Sequence, residues 1–446
     1  MTFTTSQLAS YVGGTLHGDT DVRCCGASID SRLSETGNVF FALQGEHTDG
    51  HEYVEAAATA GCSALIVEKT VDSTVPFIIV QDVRRALYDL AKNRRAELPV
   101  QKVIAVTGSV GKTTAKDMIA CMLGEQVVAS KKSFNNDLGV PLTILAAEAA
   151  EFLVAEIGAN DVGEIEPLAE LIQPDIAVLT SIDKAHLEGF GTQAAVLAEK
   201  VKLLEALPSH GVAILPHDID ISSFDITAPI ITVGTSDSAD IRIEVGIDSF
   251  GFATLKIGTN EVTLSMLGEH NAMNAALALV ACGYAQPETA QVQFMNRLAS
   301  FKGPAGRLQK VDIAGISFID DSYNANPASM QSALNLIATM SCGRKVLILG
   351  DMLELGEHAH AEHRLLGNAI EKVKADVVIL VGSHMHATSQ TIPSMHEPEA
   401  SIDAMQRIAA LLKFGDTVLL KGSRDIQLER IIEIFEMEQQ TQVSPL

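Results

Sequence analysis

The chain has 446 residues, 47% of them hydrophobic, enough for several domains with buried cores and too apolar for a disordered protein. A formal net charge of -24 argues against nucleic acid or an anionic membrane as the main partner, and implies that an anionic substrate needs a local basic pocket. Six cysteines without a C-x-x-C pair read as reduced thiols, and no apolar stretch approaches the roughly 20 residues of a membrane span, so the expected location is the cytoplasm.

In chain order, residues 1–83 mix short strands with glycine turns, a small α/β unit without the G-x-G-x-x-G pattern of a dinucleotide site. Two polar clusters, Asp30-Ser31-Arg32 and Asp49-Gly50-His51, close apolar runs; solvated turns are the alternative to a binding role. From Arg84 a helix of alternating charge and leucine leads to Val103-Ile104-Ala105-Val106-Thr107-Gly108-Ser109-Val110-Gly111-Lys112-Thr113-Thr114, an apolar run that breaks at glycine and restarts as helix. That is the pattern of strand, phosphate loop and helix, in the shorter form Gly-x-x-Gly-Lys-Thr-Thr, with Val106 where the common Walker pattern has glycine. The glycines let amide N–H groups converge on an anion at the positive end of a helix, Lys112 adds a movable cation, and Thr113 offers a hydroxyl to magnesium.

Further strands are expected at Phe152 to Ile157, Asp175 to Thr180 and Val212 to Leu215, alternating with helices as in a parallel sheet covered on both faces. Glu156 sits at a strand's carboxyl end, where a carboxylate points into the ligand crevice and can complete the shell of a metal beside a nucleotide. His186, and Lys200 and Lys202 on a following helix, carry no assignment in isolation. Residues 241–266 switch to short alternating runs, read as an antiparallel meander beside the parallel sheet. Asn271 and Asn274, three apart at a helix start, suit the edge of a purine; N-capping is the alternative for Asn271. After the punctuated Gly303-Pro304-Ala305-Gly306, Arg307 offers a planar fork to phosphate, and a third domain with strands near 316–319, 346–349, 377–381 and 418–420 reads as a second doubly wound fold.

Together these residues resemble the Mur ligases, ATP-dependent amino-acid ligases of bacterial cell-wall synthesis whose relatives include folylpolyglutamate synthetases. The resemblance spans nearly the whole chain and rests on Thr107 to Thr114, Glu156 with Gly158, His186, Gly268 to Asn274, Gly306-Arg307 and Asp321, in the family's order and approximate spacing. Within the family, Asp320 to Met330 and Leu349 to Gly356 are most similar to the branch that joins D-alanyl-D-alanine to a UDP-N-acetylmuramoyl-tripeptide. The Asp-Asn-Pro-Arg type motif of the preceding ligase does not occur.

The resemblance implies an α/β protein of three domains: a small α/β UDP-substrate domain at 1–83, a central P-loop ATPase domain with a mixed, mostly parallel sheet at 84–310, and a Rossmann-like doubly wound domain at 311–446. It further implies that ATP binds Thr107, Gly108, Ser109, Val110, Gly111, Lys112, Thr113 and Thr114 together with Asn271, Asn274, Arg307 and Asp321. Two magnesium ions (Mg2+) would be held, one by Thr113 and Glu156, the other by His186 and a carbamylated Lys200. Ser31, Arg32, Asn135 and Asn136 would serve the UDP-substrate, and Tyr323 and Asn326 the incoming dipeptide. Lys112, His186 and Lys200 carry the catalytic expectation, and a monomer is favoured. Ser181, where relatives often have asparagine, and Lys202, where many have glutamate, depart from the family pattern. A regulatory nucleotide switch and a folate polyglutamylating ligase are the competing readings.

Overall fold

The computed structural model describes residues 2–45, 48–183 and 190–443. Its strands form three main sheets, each drawn from one stretch of the chain, and a two-stranded pair, Phe3–Thr4 with Arg23–Cys24. The first main sheet has five strands between Thr15 and Ile79, parallel except for Thr15–His17 on Phe77–Ile79. After the cluster Asp49-Gly50-His51 a 3-10 turn, Gly50–Tyr53, runs into the α-helix Val54–Thr59.

Helix Val83–Glu97 ties this unit to the next. Asp82 caps it through Arg85 N at 2.9 Å, and Val83, Ala86, Leu87 and Leu90 bury their side chains in one core shared by Phe41 and Ile66 of the first sheet and Val103 and Ala155 of the second. Removing such apolar side chains from water supplies about 1.5–3 kcal/mol each, so the two units are welded through this helix.

The central sheet has nine strands, and Lys102–Thr107 is third from one edge, between Ile176–Leu179 and Phe152–Glu156. Val103 and Ala105 join the core on one face while Ile104 and Val106 join the core on the other, which is why the strand reads as an unbroken apolar run. The meander Ile241–Ile247, Phe252–Ile257 and Asn260–Leu267 is the outer part of this same sheet, attached by a parallel pairing of Ile241–Ile247 to Ile230–Gly234. The third sheet has six strands, all parallel except the edge strand Gln309–Ile313. Helices Pro327–Thr339 and Ala359–Val373 pack one face through Met330, Ile337 and Ile370, and Ile402–Ala409 packs the other through Met405 and Ile408.

Helix Gln193–Glu205 buries Glu199 and Lys200 against the central sheet. Thr192 caps it by accepting from Ala195 N at 3.2 Å, and Glu199 in turn accepts from Gly163 N (2.9 Å) and Ile165 N (2.7 Å), fixing the start of helix Ile165–Ile172. Thr192→Ala should lower the stability of the central unit by about 1 kcal/mol, while Thr192→Ser should be nearly neutral. Comparing denaturant midpoints of the three proteins checks this; equal midpoints would mean that the cap contributes nothing to stability.

Candidate functional site

The carboxyl ends of the central parallel strands face the third sheet across a cavity of about 990 Å³. At its floor, strand Lys102–Thr107 runs into the loop and then helix Lys112–Leu123. Two positions in this loop require glycine. Gly108 (φ +148°) would drive a Cβ into the Thr180 hydroxyl, and Gly111 (φ +88°), the helix N-cap, would drive one into the Asn274 side chain.

The loop is clamped from the neighbouring strand end. Ser109 N donates to Ser181 O (2.9 Å), Val110 N donates to Ser181 Oγ (3.0 Å), and Thr180 Oγ1 donates to Val110 O (2.5 Å). Those amides are therefore spent on the fold. The donors that remain for an anion include the N–H groups of Gly111, Lys112, Thr113 and Thr114 at the helix start, which no intrahelical carbonyl can reach, together with the Lys112 amine. That amine lies over the loop, donating to Gly108 O (2.6 Å) and Ser109 O (3.2 Å), and burial pulls its pKa down.

Glu156 is 1% exposed at the end of the adjacent strand. Its Oε1 accepts from Asn135 Nδ2 at 2.8 Å, while Oε2 is buried without a hydrogen-bond partner. An orphaned carboxylate oxygen in the cavity that Thr113 also lines fits a divalent cation, since a buried anion needs a compensating charge. Lys116, also buried, grips the Ser130 and Lys132 carbonyls at 2.6 and 3.2 Å and so sets the segment that carries Asn135.

Arg307, just before the third domain, and the third domain itself close the other side. Arg307 donates to Thr113 Oγ1 at 3.1 Å and stacks 4.3 Å from the Tyr323 ring centre, and the Tyr323 hydroxyl bonds Ser133 Oγ. Asp321 accepts from Lys421 Nζ at 2.6 Å. The charges lining the cavity are Lys112, Arg307 and Lys421 against Glu156, Glu164, Asp183, Asp218, Asp220 and Asp321. Among the described residues the pocket is thus acidic, not the basic one that the overall charge led us to expect.

Residues 25–113 match the catalytic domain of the Mur ligase family, 106–282 the Mur ligase middle domain, and 306–424 the Mur ligase glutamate ligase domain. The chain is 34% identical to the UDP-N-acetylmuramoyl-tripeptide--D-alanyl-D-alanine ligase of Escherichia coli, over 97% of this chain and 98% of that one. The chain belongs to the Mur ligase family. Its fold superposes on crystal structure I of MurF from Acinetobacter baumannii with a TM-score of 0.86 at 30% identity, covering 98% and 99% of the two chains. MurF of Thermotoga maritima, solved in complex with ADP, gives 0.80 at 27% identity over 94% of this chain and 98% of that one.

In this Mur ligase the residues expected around the nucleotide meet in one place. Ser109, Val110, Gly111, Lys112, Thr113, Thr114, Asn271, Asn274, Arg307 and Asp321 line the cavity, as do Asn135, Asn136, Tyr323 and Asn326. Thr107 and Gly108 are not among its lining residues; the Thr107 hydroxyl is buried without a partner. Asn271 is not the cap of its helix, which is Gly268; its amide reaches back to Leu267 O (2.8 Å) and its Oδ1 accepts from Asn274 (3.3 Å). Asn136 caps the turn into helix Gly139–Ala146, and Asn326 caps Pro327–Thr339 through Ser329 N at 2.8 Å.

Ser31 and Arg32 lie elsewhere, in a 3-10 turn of the first sheet's unit, where Arg32 forks onto Asp30 (2.9 and 2.6 Å) and holds that carboxyl below its usual range. His186 lies outside the described residues. Lys200 is buried, with Nζ 5.7 Å from the Phe190 ring, and burial, aided by the Lys112 charge, pulls its pKa down to about 7. Lys202 points to solvent and pairs with Glu205 at 2.8 Å. The residue missed was Lys421. It ends a predicted parallel strand, the same signal that singled out Glu156.

Gly111→Ala combines a left-handed backbone with a collision against Asn274, so it should abolish binding of ADP measured by calorimetry while leaving the circular dichroism spectrum unchanged. Parent-like affinity would show that this loop does not receive the nucleotide.

Proposed function

We infer that this Mur ligase joins D-alanyl-D-alanine to UDP-N-acetylmuramoyl-tripeptide at the expense of ATP, giving UDP-N-acetylmuramoyl-pentapeptide, ADP and phosphate. The observation that carries this is the near full-length identity to the Escherichia coli enzyme of that name, together with a cavity that joins a phosphate loop to a third-domain wall. We assign residues 1–83 to the UDP-substrate through Ser31 and Arg32, 84–310 to ATP, and 311–446 to closing the site and receiving the dipeptide near Tyr323 and Asn326.

A carboxylate does not condense with an amine in water because oxide is a poor leaving group. The terminal carboxylate of the tripeptide therefore attacks the γ-phosphorus, the bond to the β-phosphate oxygen breaks, and ADP leaves an acyl phosphate. The dipeptide amine then adds to the acyl carbon, phosphate departs with the electron pair of the C–O bond, and the proton lost by the nitrogen leaves with the phosphate. Lys112 and the first-turn amides of its helix face the oxyanions that develop during the first step, and Arg307 reaches the same place from the segment that leads into the third domain. The Tyr323 to Ser133 contact shuts that wall, which keeps water from the acyl phosphate.

Magnesium, held by Thr113 and Glu156 and in a second place by His186 and Lys200 as its carbamate, would supply charge neutralisation for the phosphoryl oxygens. The orphaned Glu156 oxygen supports the first site. Lys200 suits carbamylation because carbon dioxide adds only to a neutral amine, and the product replaces a buried cation by an anionic oxygen ligand.

Phosphate release should require both substrates, and the product mass should be that of the tripeptide plus dipeptide less water. Lys112→Ala should lose at least roughly a hundredfold in turnover, by analogy with removal of other oxyanion donors. ATP-only phosphate release by the parent, or near-parent turnover by the variant, would overturn the assignment.

Lys200→Ala should be severely impaired and partly restored by acetate or propionate, whose carboxylate enters the vacated space, whereas the solvent-facing Lys202→Ala should stay active. Bicarbonate labelled with carbon-13 should give a carbamate resonance in the parent and in Lys202→Ala and none in Lys200→Ala. A dead Lys202→Ala, or a resonance that survives loss of Lys200, sinks the assignment.

A further inference from the structure

We propose that Lys421 is a positioning residue that aims Arg307 at the phosphate loop, acting through Asp321; this deepens the function inferred above and rests on ATP binding at that loop. Strands Ile316–Asp321 and Thr417–Lys421 are parallel neighbours, and their register sets Asp321 directly beside Lys421 at the carboxyl ends facing the cavity. Lys421 is 1% exposed, and its ammonium donates to Asp321 Oδ2 (2.6 Å) and to Asn324 O (3.1 Å). One buried cation therefore grips the segment 321–324 at both ends. Such a charge is costly to bury unless fully paired, so its place is defined by those two oxygens.

That segment in turn holds the chain on both sides of Arg307. Asp321 Oδ1 accepts from Leu308 N at 3.2 Å, and Tyr323 N donates to Gly306 O at 3.0 Å. The held backbone is an unusual one: Gly306 has φ +72°, and Leu308, a bulky residue, has φ +52°. A left-handed leucine persists only where its surroundings impose it, and here Asp321 supplies the imposing bond. With Gly306 and Leu308 fixed, the Arg307 fork stays on Thr113 Oγ1 and over the Tyr323 ring. Without Lys421, Asp321 loses its partner, the segment loosens, and Leu308 can relax out of its left-handed conformation.

A residue acting through Arg307 and one touching the nucleotide on its own behave differently in a double-mutant cycle. The probe is a non-hydrolysable ATP analogue with magnesium, its affinity measured by calorimetry on the full chain. Lys421→Met should weaken binding about tenfold, within the range for residues coupled in one network, and should cost less than about twofold once Arg307 is already alanine. UDP-tripeptide affinity should be unchanged in every variant, which a general loosening of the fold would not give. If Lys421→Met melts far below the parent, the neutral pair Lys421→Met with Asp321→Asn takes its place in the cycle, with the same expectation. Losses that multiply, parent-like binding by Lys421→Met, or an Arg307→Ala variant that binds as the parent does, each overturn the proposal. A parent chain that fails to bind the analogue instead removes the functional assignment on which it rests.

Discussion

The site depends on the clamp that Thr180 and Ser181 place on the phosphate loop. A loop that leaves a buried strand must satisfy its own backbone groups, and here Ser181 takes the amides of Ser109 and Val110 while Thr180 takes the Val110 carbonyl. The consequence is directional. With those amides turned toward the sheet, the outward donors are the ones at the start of helix Lys112–Leu123, aligned with its dipole. The clamp also explains the glycine at 108, since any side chain there would displace Thr180. Ser181, a departure from the family pattern, thus has a defined task that its small hydroxyl performs at 3.0 Å.

Much of the arrangement was legible because it is local. The apolar run before Gly108 had to be a strand buried on both faces, the restart at Lys112 had to be a helix, and Glu156 at a strand end had to face the crevice. The meander was legible as antiparallel, and the mixed central sheet expected from it is the one observed, with Ile241–Ile247 paired to Ile230–Gly234. What stayed hidden joins distant parts of the chain. Thr113 meets Arg307 across 194 positions, and Ser133 meets Tyr323 across 190. No periodicity encodes which face of one domain turns toward another. The same holds for Asn135, expected to serve the UDP-substrate: its amide donates to Glu156, a partnership that needs two loops to be in place. Ser31 and Arg32 belong to a different unit from the cavity, so their assignment to the UDP-substrate draws on family likeness and not on proximity.

Electrostatics links the cavity to its chemistry. Among the described residues six carboxylates and three side-chain cations line it, so ATP, itself strongly anionic, enters a field of its own sign. A like-charge contact at 4 Å costs about 4 kcal/mol at an effective dielectric of 20 and an opposite charge returns as much, so three cations do not balance six carboxylates. On the function inferred above, the nucleotide must then arrive with divalent cations, and the carboxylates that repel the bare anion become the groups that hold the complex. Glu156 shows how: one oxygen is fixed by Asn135 and the other is left without a partner, an arrangement that is costly in isolation and favourable beside a cation. Arg307 completes this balance from the segment that leads into the third domain. Its guanidinium donates to Thr113 Oγ1 and stacks on Tyr323 of the third domain, so the charge that faces the phosphates and the wall that excludes water touch each other. An acidic protein can in this way handle phosphates without a standing basic patch, because part of the positive charge sits at the junction between the phosphate loop and the wall that covers it.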